Sequence, residues 1–342
     1  MKIAMLLNKS NQKKTLNEKT IGLLRQKAEL VWNETDGYDQ EELKRVIRGA
    51  DAAVTSWGCP KLTADILKEA PDLKLILHAA GSVKPFITED IFDRGIRVIS
   101  SASVLSCGVS ETALGFIISA SKNFYELNDK MHAGVFRTQG VKDLFDLTIG
   151  IVGFGYAGRH LAELLQAFQV DVIASDPGVS AQSMVAVGVR KVEMEEVFEQ
   201  SDIISIHAPE LPSTYHIVNE ASIASMKDGV ILINTARGTA IDEQALAKSL
   251  LSGKIKTACL DVYDPEPPCA DNPLLKLDNC IMTPHIAGQA ANGLQRIGYN
   301  CYCQLLHFLA GERMQGEITR DMLNHIAVSY THLRAHETLR YL

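Results

Sequence analysis

The stretch IGIVGFGYAGRHLAELLQAF, residues 149–168, constrains the fold more than any other part of the chain. An apolar run meets Gly153, Gly155 and Gly158 in the spacing G-x-G-x-x-G, and an amphipathic helical pattern follows at once. A strand, a glycine turn and a helix in that order form the context in which such glycines bind phosphate. The first glycine permits the tight turn, the second lets a pyrophosphate approach the backbone, and the third lets the helix pack on the strand. Free amides and the dipole at the helix start then favour an anion. On its own the spacing also fits a plain glycine turn of an α/β domain.

Its partner decides between the two. Asp176 ends the next strand-like run, VDVIASD, about 20 residues further on. A carboxylate there can accept both hydroxyls of an adenosine ribose and repels the extra phosphate of NADP, which points to NAD.

Short apolar runs alternate with helical patterns on both sides of this turn. KIAMLL, AELVW, DAAVTSW, LKLILHAA and IRVIS read as five strands, with helical segments such as 40–49 and 61–70 between them. Residues 108–131 read as one long helix. DVIASD, DIISIHAP, GVILINTA, TACLDV and CIMTPH continue a second series after the glycine turn. Alternation of this kind implies parallel sheets with helices on both faces, and 342 residues suit two such α/β domains.

Bulk properties exclude several function classes. Basic residues number 34 against 41 acidic ones, net −7, which argues against nucleic acid or an anionic membrane as the main partner. No uncharged apolar run of about 18 residues is present, and MKIAMLLNKSNQKK reads as a first strand rather than a signal peptide. Seven cysteines show neither a disulfide framework nor zinc spacing, so reduced thiols in the cytoplasm and no metal are expected. Residues 328–342, VSYTHLRAHETLRYL, fit neither domain pattern. They resemble a translated adapter read-through, or else a disordered terminus.

Three later segments also follow strands, on the edge where open α/β sheets bind ligands. INTARGTAIDEQAL, LDVYDPEPP and MTPHIAG supply Arg237, Glu266 and His285. Hydride exchange with a nicotinamide requires a proton to move on the substrate oxygen, and a histidine titrating near neutrality suits that step. A carboxylate beside it orients the ring and keeps it charged. An arginine grips a substrate carboxylate and polarises a carbonyl. Singly, each residue reads as a loop salt bridge, a surface acid or a packed histidine; their joint order downstream of the glycine turn argues for one site.

Together these motifs make the chain resemble the D-isomer-specific 2-hydroxyacid dehydrogenase family over residues 1–325. The resemblance implies a Rossmann NAD-binding domain at 106–288 inserted in a flavodoxin-like substrate domain made of 1–105 and 289–327. It implies that Arg237 binds the substrate carboxylate and carbonyl, that His285 is the acid/base, and that Glu266 is its partner. The loop HAAGSV contributes the backbone of Ala80, Gly81, Ser82 and Val83 to the carboxylate. On the cofactor side it implies Tyr156 and Ala157 at the pyrophosphate beside the three glycines, with Asp176 at the ribose. His207, Pro209 and Thr214 would lie at the adenosine, Thr235, Ala236 and Asp261 would border the nicotinamide, and Gly288 would also contact the cofactor. A return of the chain through a helix from about 290, domain closure over the substrate and a homodimer paired through 108–131 belong to the same expectation. His78 stands where arginine is usual in the substrate loop. The implied reaction is reversible hydride transfer between NAD(H) and a small 2-keto/2-hydroxy acid. An NAD(H)-sensing, corepressor-like protein on the same fold is the alternative.

Overall fold

The structure, a computed structural model, describes residues 1–138 and 140–325; the tail at 328–342 lies outside the described residues. The chain divides into two compact units, one formed by Met1–Leu105 with the chain from Gln289 onward, the other by Ser106–Gly288.

The first unit holds β1 (Lys2–Met5), β2 (Glu29–Trp32), β3 (Ala52–Thr55), β4 (Leu75–His78) and β5 (Arg97–Ser100), parallel in the order 2-1-3-4-5. Successive side chains of a strand point to opposite faces. Ala4, Leu6, Ala53 and Ile76 therefore enter one apolar cluster with Leu43, Ile47, Ile66 and Phe86. Ile3, Met5, Val54, Leu75 and Leu77 enter the other, covered by Leu294, Ile297, Tyr302 and Leu305 of the helix Ala291–Ala310. A sheet buried on both faces must be built from near-continuous apolar runs, and β3 and β4 are buried at every position.

The second unit holds β6 (Thr148–Val152), β7 (Asp171–Ser175), β8 (Arg190–Lys191), β9 (Ile203–Ile206), β10 (Val230–Asn234), β11 (Ile255–Leu260) and β12 (Cys280–Met282), all parallel. Their order, 8-7-6-9-10-11-12, reverses direction between β6 and β9. That switch point is where a doubly wound sheet opens a crevice at its carboxyl edge. The order is that of a dinucleotide-binding sheet, and the first unit has the flavodoxin-like order, so the doubly wound α/β class expected from the alternation is the one found.

Some elements differ from the sequence reading. The continuous helix expected over 108–131 is two helices, Ala102–Ser121 and Phe124–His132, because Asn123 adopts φ 55° between them. Asparagine tolerates that left-handed conformation and interrupts the helical ladder there. The two-residue strands β8 and β13 (Glu317–Ile318) were too short to leave a period. β13 pairs antiparallel with β5, and a two-pronged ion pair between Arg97 and Glu317, at 2.6 and 2.8 Å, fastens it. Among the described residues one helix, Ala102–Ser121, is long and apolar enough to cross a membrane by length and composition alone. Glu111 interrupts its apolar run, and its Ala113, Phe116, Ile117 and Ala120 pack into the core of the second unit.

Candidate active site

The glycine turn follows β6 at the switch point. Gly153 has φ +90°, and a Cβ there would lie 2.6 Å from the Ala208 nitrogen. A Cβ on Gly158 would lie 2.2 Å from the Gly153 carbonyl oxygen. Both positions therefore exclude any larger residue. Gly155 is different: nothing lies within 4 Å of its Cβ position, and its φ of −73° suits any residue. The fold by itself does not require glycine at this position. The first helical bond here runs from Arg159 N–H to the Gly155 carbonyl, so the amides of Gly155, Tyr156, Ala157 and Gly158 precede the ladder. An open glycine above four amides fits a pyrophosphate.

Asp176, directly after β7, aims its carboxylate at this turn. One oxygen accepts the Phe154 amide at 2.7 Å and the other the Gly178 amide at 2.8 Å. A carboxylate offers about four acceptor positions, so two bonds fix its direction and leave capacity for hydroxyls. The sequence reading gave Asp176 a recognition role; the structure adds that it clamps the turn.

Beyond β9 and β10, polar atoms are buried without partners. His207 meets Ser205 Oγ at 2.9 Å through Nε2, while its Nδ1 has no hydrogen bond. Burial pushes this ring down to about 4, so it is neutral at pH 7. Thr235 Oγ1 is likewise buried and unpaired. An unsatisfied buried polar atom costs about 1–3 kcal/mol, and a dinucleotide offers groups to satisfy both. Pro209 and Thr214 belong to a loop closed on itself, with the Thr214 hydroxyl 2.6 Å from the Pro209 carbonyl. The residues present thus fit a nicotinamide dinucleotide.

The three catalytic candidates lie in this same unit. His285 Nδ1 is 2.8 Å from Glu266 Oε2. The other carboxylate oxygen accepts the Tyr263 amide at 3.1 Å. Burial raises the Glu266 carboxyl, but the His285 hydrogen bond and charge, the Tyr263 amide and the Arg237 charge together hold it below the usual carboxylate range. Glu266 thus feels both His285 and Arg237. Burial lowers the Arg237 guanidinium, opposed by Glu210 and Glu266. Its Nη1 donates to the Ala236 carbonyl at 2.6 Å, and its Nε is buried with no partner. An arginine cannot shed its charge, so this side chain presents donors that an anionic ligand would satisfy.

Asn234 and Gly238, which the sequence reading did not single out, and Asp261, which it placed towards the nicotinamide, shape these loops. Asn234 is fully buried at the end of β10; its side chain accepts the Ala236 amide at 3.0 Å and donates to the Arg237 carbonyl at 2.8 Å. Gly238 admits no side chain, since a Cβ would lie 1.9 Å from the carbonyl carbon of Tyr263. That close approach draws the arginine loop against the segment carrying Glu266. Asp261, also fully buried, accepts the Thr283 hydroxyl at 2.5 Å and the amides of Ile286 and Ala287 at 2.8 Å each. It brackets His285, whose φ of 52° is rare for a residue with a Cβ and is held by these bonds. Ala236 lies in the Asn234 bracket, and Gly288 turns immediately after Ala287. The motif spacing marked none of these braces, because a buried asparagine or aspartate signals a partner only once its surroundings are known.

In the first unit, Ala80–Val83 follow β4. Ala80 and Val83 are buried, and Gly81 and Ser82 are partly exposed.

Comparison with known proteins agrees with this geometry. Residues 114–287 match the family model described as the D-isomer specific 2-hydroxyacid dehydrogenase, NAD binding domain. The chain is 34% identical over 287 residues to a hydroxypyruvate reductase of Thermotoga maritima, covering 83% of this chain and 92% of that one. It is 34% identical over 301 residues to a D-3-phosphoglycerate dehydrogenase of Methanocaldococcus jannaschii, covering 87% of this chain but only 56% of that longer one. A crystal structure of a D-lactate dehydrogenase of Treponema pallidum superposes with a TM-score of 0.71 at 25% identity, over 93% of this chain and 100% of that one. With a glycine turn, an arginine and a histidine–carboxylate pair on one sheet edge, and relatives of this kind over most of its length, the chain belongs to the D-isomer-specific 2-hydroxyacid dehydrogenase family, oxidoreductases that act on CH–OH groups.

Proposed function

We propose that the protein is an NAD-dependent D-2-hydroxyacid dehydrogenase that interconverts a small 2-keto acid and its D-2-hydroxy acid, with His285 as acid/base. The observation that carries this reading is the 2.8 Å contact between His285 Nδ1 and a Glu266 carboxylate that also faces the Arg237 charge. A bound nicotinamide supplies or accepts the hydride. The ionised Glu266 holds the His285 proton on Nδ1 and stabilises the imidazolium, which leaves Nε2 to deliver a proton to the carbonyl oxygen or take one from the alcohol. Arg237 pairs with the substrate carboxylate, and its charge draws electron density towards the carbonyl oxygen. In the reverse direction the same charge favours the alkoxide that forms as His285 withdraws the proton. Asp176 supports NAD over NADP, because a second anion at the ribose would face its carboxylate.

Two further properties belong to this reading. A homodimer is supported by apolar side chains left in solvent around Phe124–His132: Phe124 and Met131 are each 55% exposed and Phe136 is 86% exposed. A reducing, cytoplasmic setting is supported by the cysteines, which form no disulfide among the described residues.

The test is NADH oxidation followed across a panel of 2-keto acids, with His285→Ala alongside. Losing the proton donor should cut turnover by about 10²–10⁴-fold while NADH affinity stays unchanged. A wild type that binds NADH and reduces no acid in the panel would sink the proposed reaction. Equal losses of turnover and NADH affinity in the variant would remove His285 from its assigned role.

A further inference from the structure

We infer that Tyr263 is a positioning residue for the proton-transfer pair: its phenol fixes the turn that carries His285, and its backbone amide fixes the Glu266 carboxylate. The inference rests on the reaction proposed above and adds to it a side chain that exchanges no proton with the substrate.

Strands β11 and β12 pair as far as Leu260 and Met282. Beyond that point the chain parts into the loop of Glu266 and the turn of His285, and Tyr263 spans the parting. Its ring belongs to the apolar cluster that holds Ala240, Leu274 and Cys280, and only 8% of the residue is exposed. Its hydroxyl lies 2.9 Å from the Leu260 carbonyl and 2.8 Å from the Thr283 carbonyl. One O–H thus serves two acceptors, one on each diverging segment.

The Thr283 carbonyl also accepts the His285 amide, at 3.0 Å. That closure across two residues belongs to the turn in which His285 has φ 52°. A carbonyl oxygen has two lone pairs, and the phenol and the amide engage both. Thr283 is held further by its own amide, bonded to the Leu260 carbonyl, and by its hydroxyl, bonded to Asp261. The other end of the pair depends on the same residue. The Tyr263 amide donates to Glu266 Oε1 at 3.1 Å, which leaves Oε2 to meet His285 Nδ1 at 2.8 Å. A shift of Tyr263 therefore moves the carboxylate and the imidazole relative to each other.

The phenol acts here as a brace. Both of its acceptors are backbone carbonyls, so its proton is committed to the fold. Burial raises it, and the nearby Asp261, Cys280 and Glu266 raise it further against the Thr283 bond, so it remains a donor at neutral pH.

The test is Tyr263→Phe in the full chain. The phenyl ring keeps its place in the core. Neither carbonyl is orphaned, because Leu260 still accepts the Thr283 amide and Thr283 the His285 amide. Single-turnover oxidation of NADH by a 2-keto acid should slow by about 10- to 10²-fold, the penalty for a displacement on the order of 1 Å. The half-saturating keto-acid concentration and the NADH affinity should not change. In a Glu266→Gln background, where the charged pair is already broken, the same substitution should cost roughly twofold or less, because its effect runs through that pair. In protein labelled with 15N-histidine, the Nδ1 proton of His285 should exchange with water about tenfold faster in Tyr263→Phe than in the wild type. An undiminished single-turnover rate, equal losses of rate and NADH affinity, or a full-sized loss in the Glu266→Gln background overturns the inference. A wild type that reduces no 2-keto acid refutes the proposed reaction; the Nδ1 proton then settles the role of Tyr263 alone, faster exchange in the variant supporting it and unchanged exchange refuting it. Should the variant not fold, the His285 amide of the wild type gives the answer: exchange as slow as that of the β11 amides supports the brace, and exchange at the rate of an open loop overturns it.

Discussion

Gly155→Ala separates what the glycine turn does for the fold from what it does for a ligand. The added methyl meets nothing within 4 Å, and φ of −73° is ordinary for alanine. The folded state gains no clash, and the unfolded chain loses conformational freedom, so stability should hold or rise by about 0.4–1 kcal/mol. The same methyl stands above the amides of Gly155–Gly158, where a pyrophosphate would lie against the backbone. Forcing a methyl into a packed contact costs about 1–3 kcal/mol, which corresponds to roughly 5- to 140-fold weaker NADH binding. Thermal unfolding and NADH fluorescence titration on one preparation measure both terms. A Tm at or above that of the wild type together with weak NADH binding is the expected pair. Undiminished NADH affinity would refute the placement of the pyrophosphate. A large fall in Tm would refute the claim that Gly155 is free of the fold.

Gly238→Ala should act in the opposite sense: its methyl would sit 1.9 Å from the Tyr263 carbonyl carbon, and pushing the Glu266 segment away by about 1 Å should cost roughly 10² in kcat, so an alanine variant with full turnover would disprove the coupling. Asp176→Ala should relax discrimination against NADPH and also lower Tm, because the Phe154 and Gly178 amides lose their acceptor; unchanged NADH/NADPH selectivity would mean that another group reads the ribose. Burial holds His78 down to about 3 and His207 to about 4, against about 6.5 in an unfolded chain. Each folded value is depressed, so the stabilisation is complete above pH 6.5 and is lost as pH falls towards 4 and then 3, by up to ~1.4 kcal/mol per pH unit for each ring. Urea midpoints at pH 7 and pH 5 should converge for wild type and His78→Gln as the wild type pays to keep the ring uncharged, and parallel curves would contradict a neutral buried His78.

The sequence by itself determined the elements that depend on local pattern. Every strand of three or more residues bears an apolar run, because a sheet covered on both faces needs one. The glycine turn was legible because Gly153 and Gly158 serve steric needs internal to the motif, and Asp176 because it lies a fixed distance along a strand–helix–strand unit. Arg237, Glu266 and His285 were found as residue types in motif order, with their roles drawn from family resemblance. Only the tertiary structure decided what holds them. Asn234, Gly238 and Asp261 act across 20 residues or more, or through backbone contacts that leave no period in the chain. The break at Asn123 turned on a single left-handed residue within an otherwise helical pattern. His78 was visible only as a departure from the usual arginine; its ring is held by Thr55, which arrives from a neighbouring strand. Local pattern records which face a residue must bury, whereas a hydrogen-bond partner brought in by another strand is fixed only when the sheet assembles.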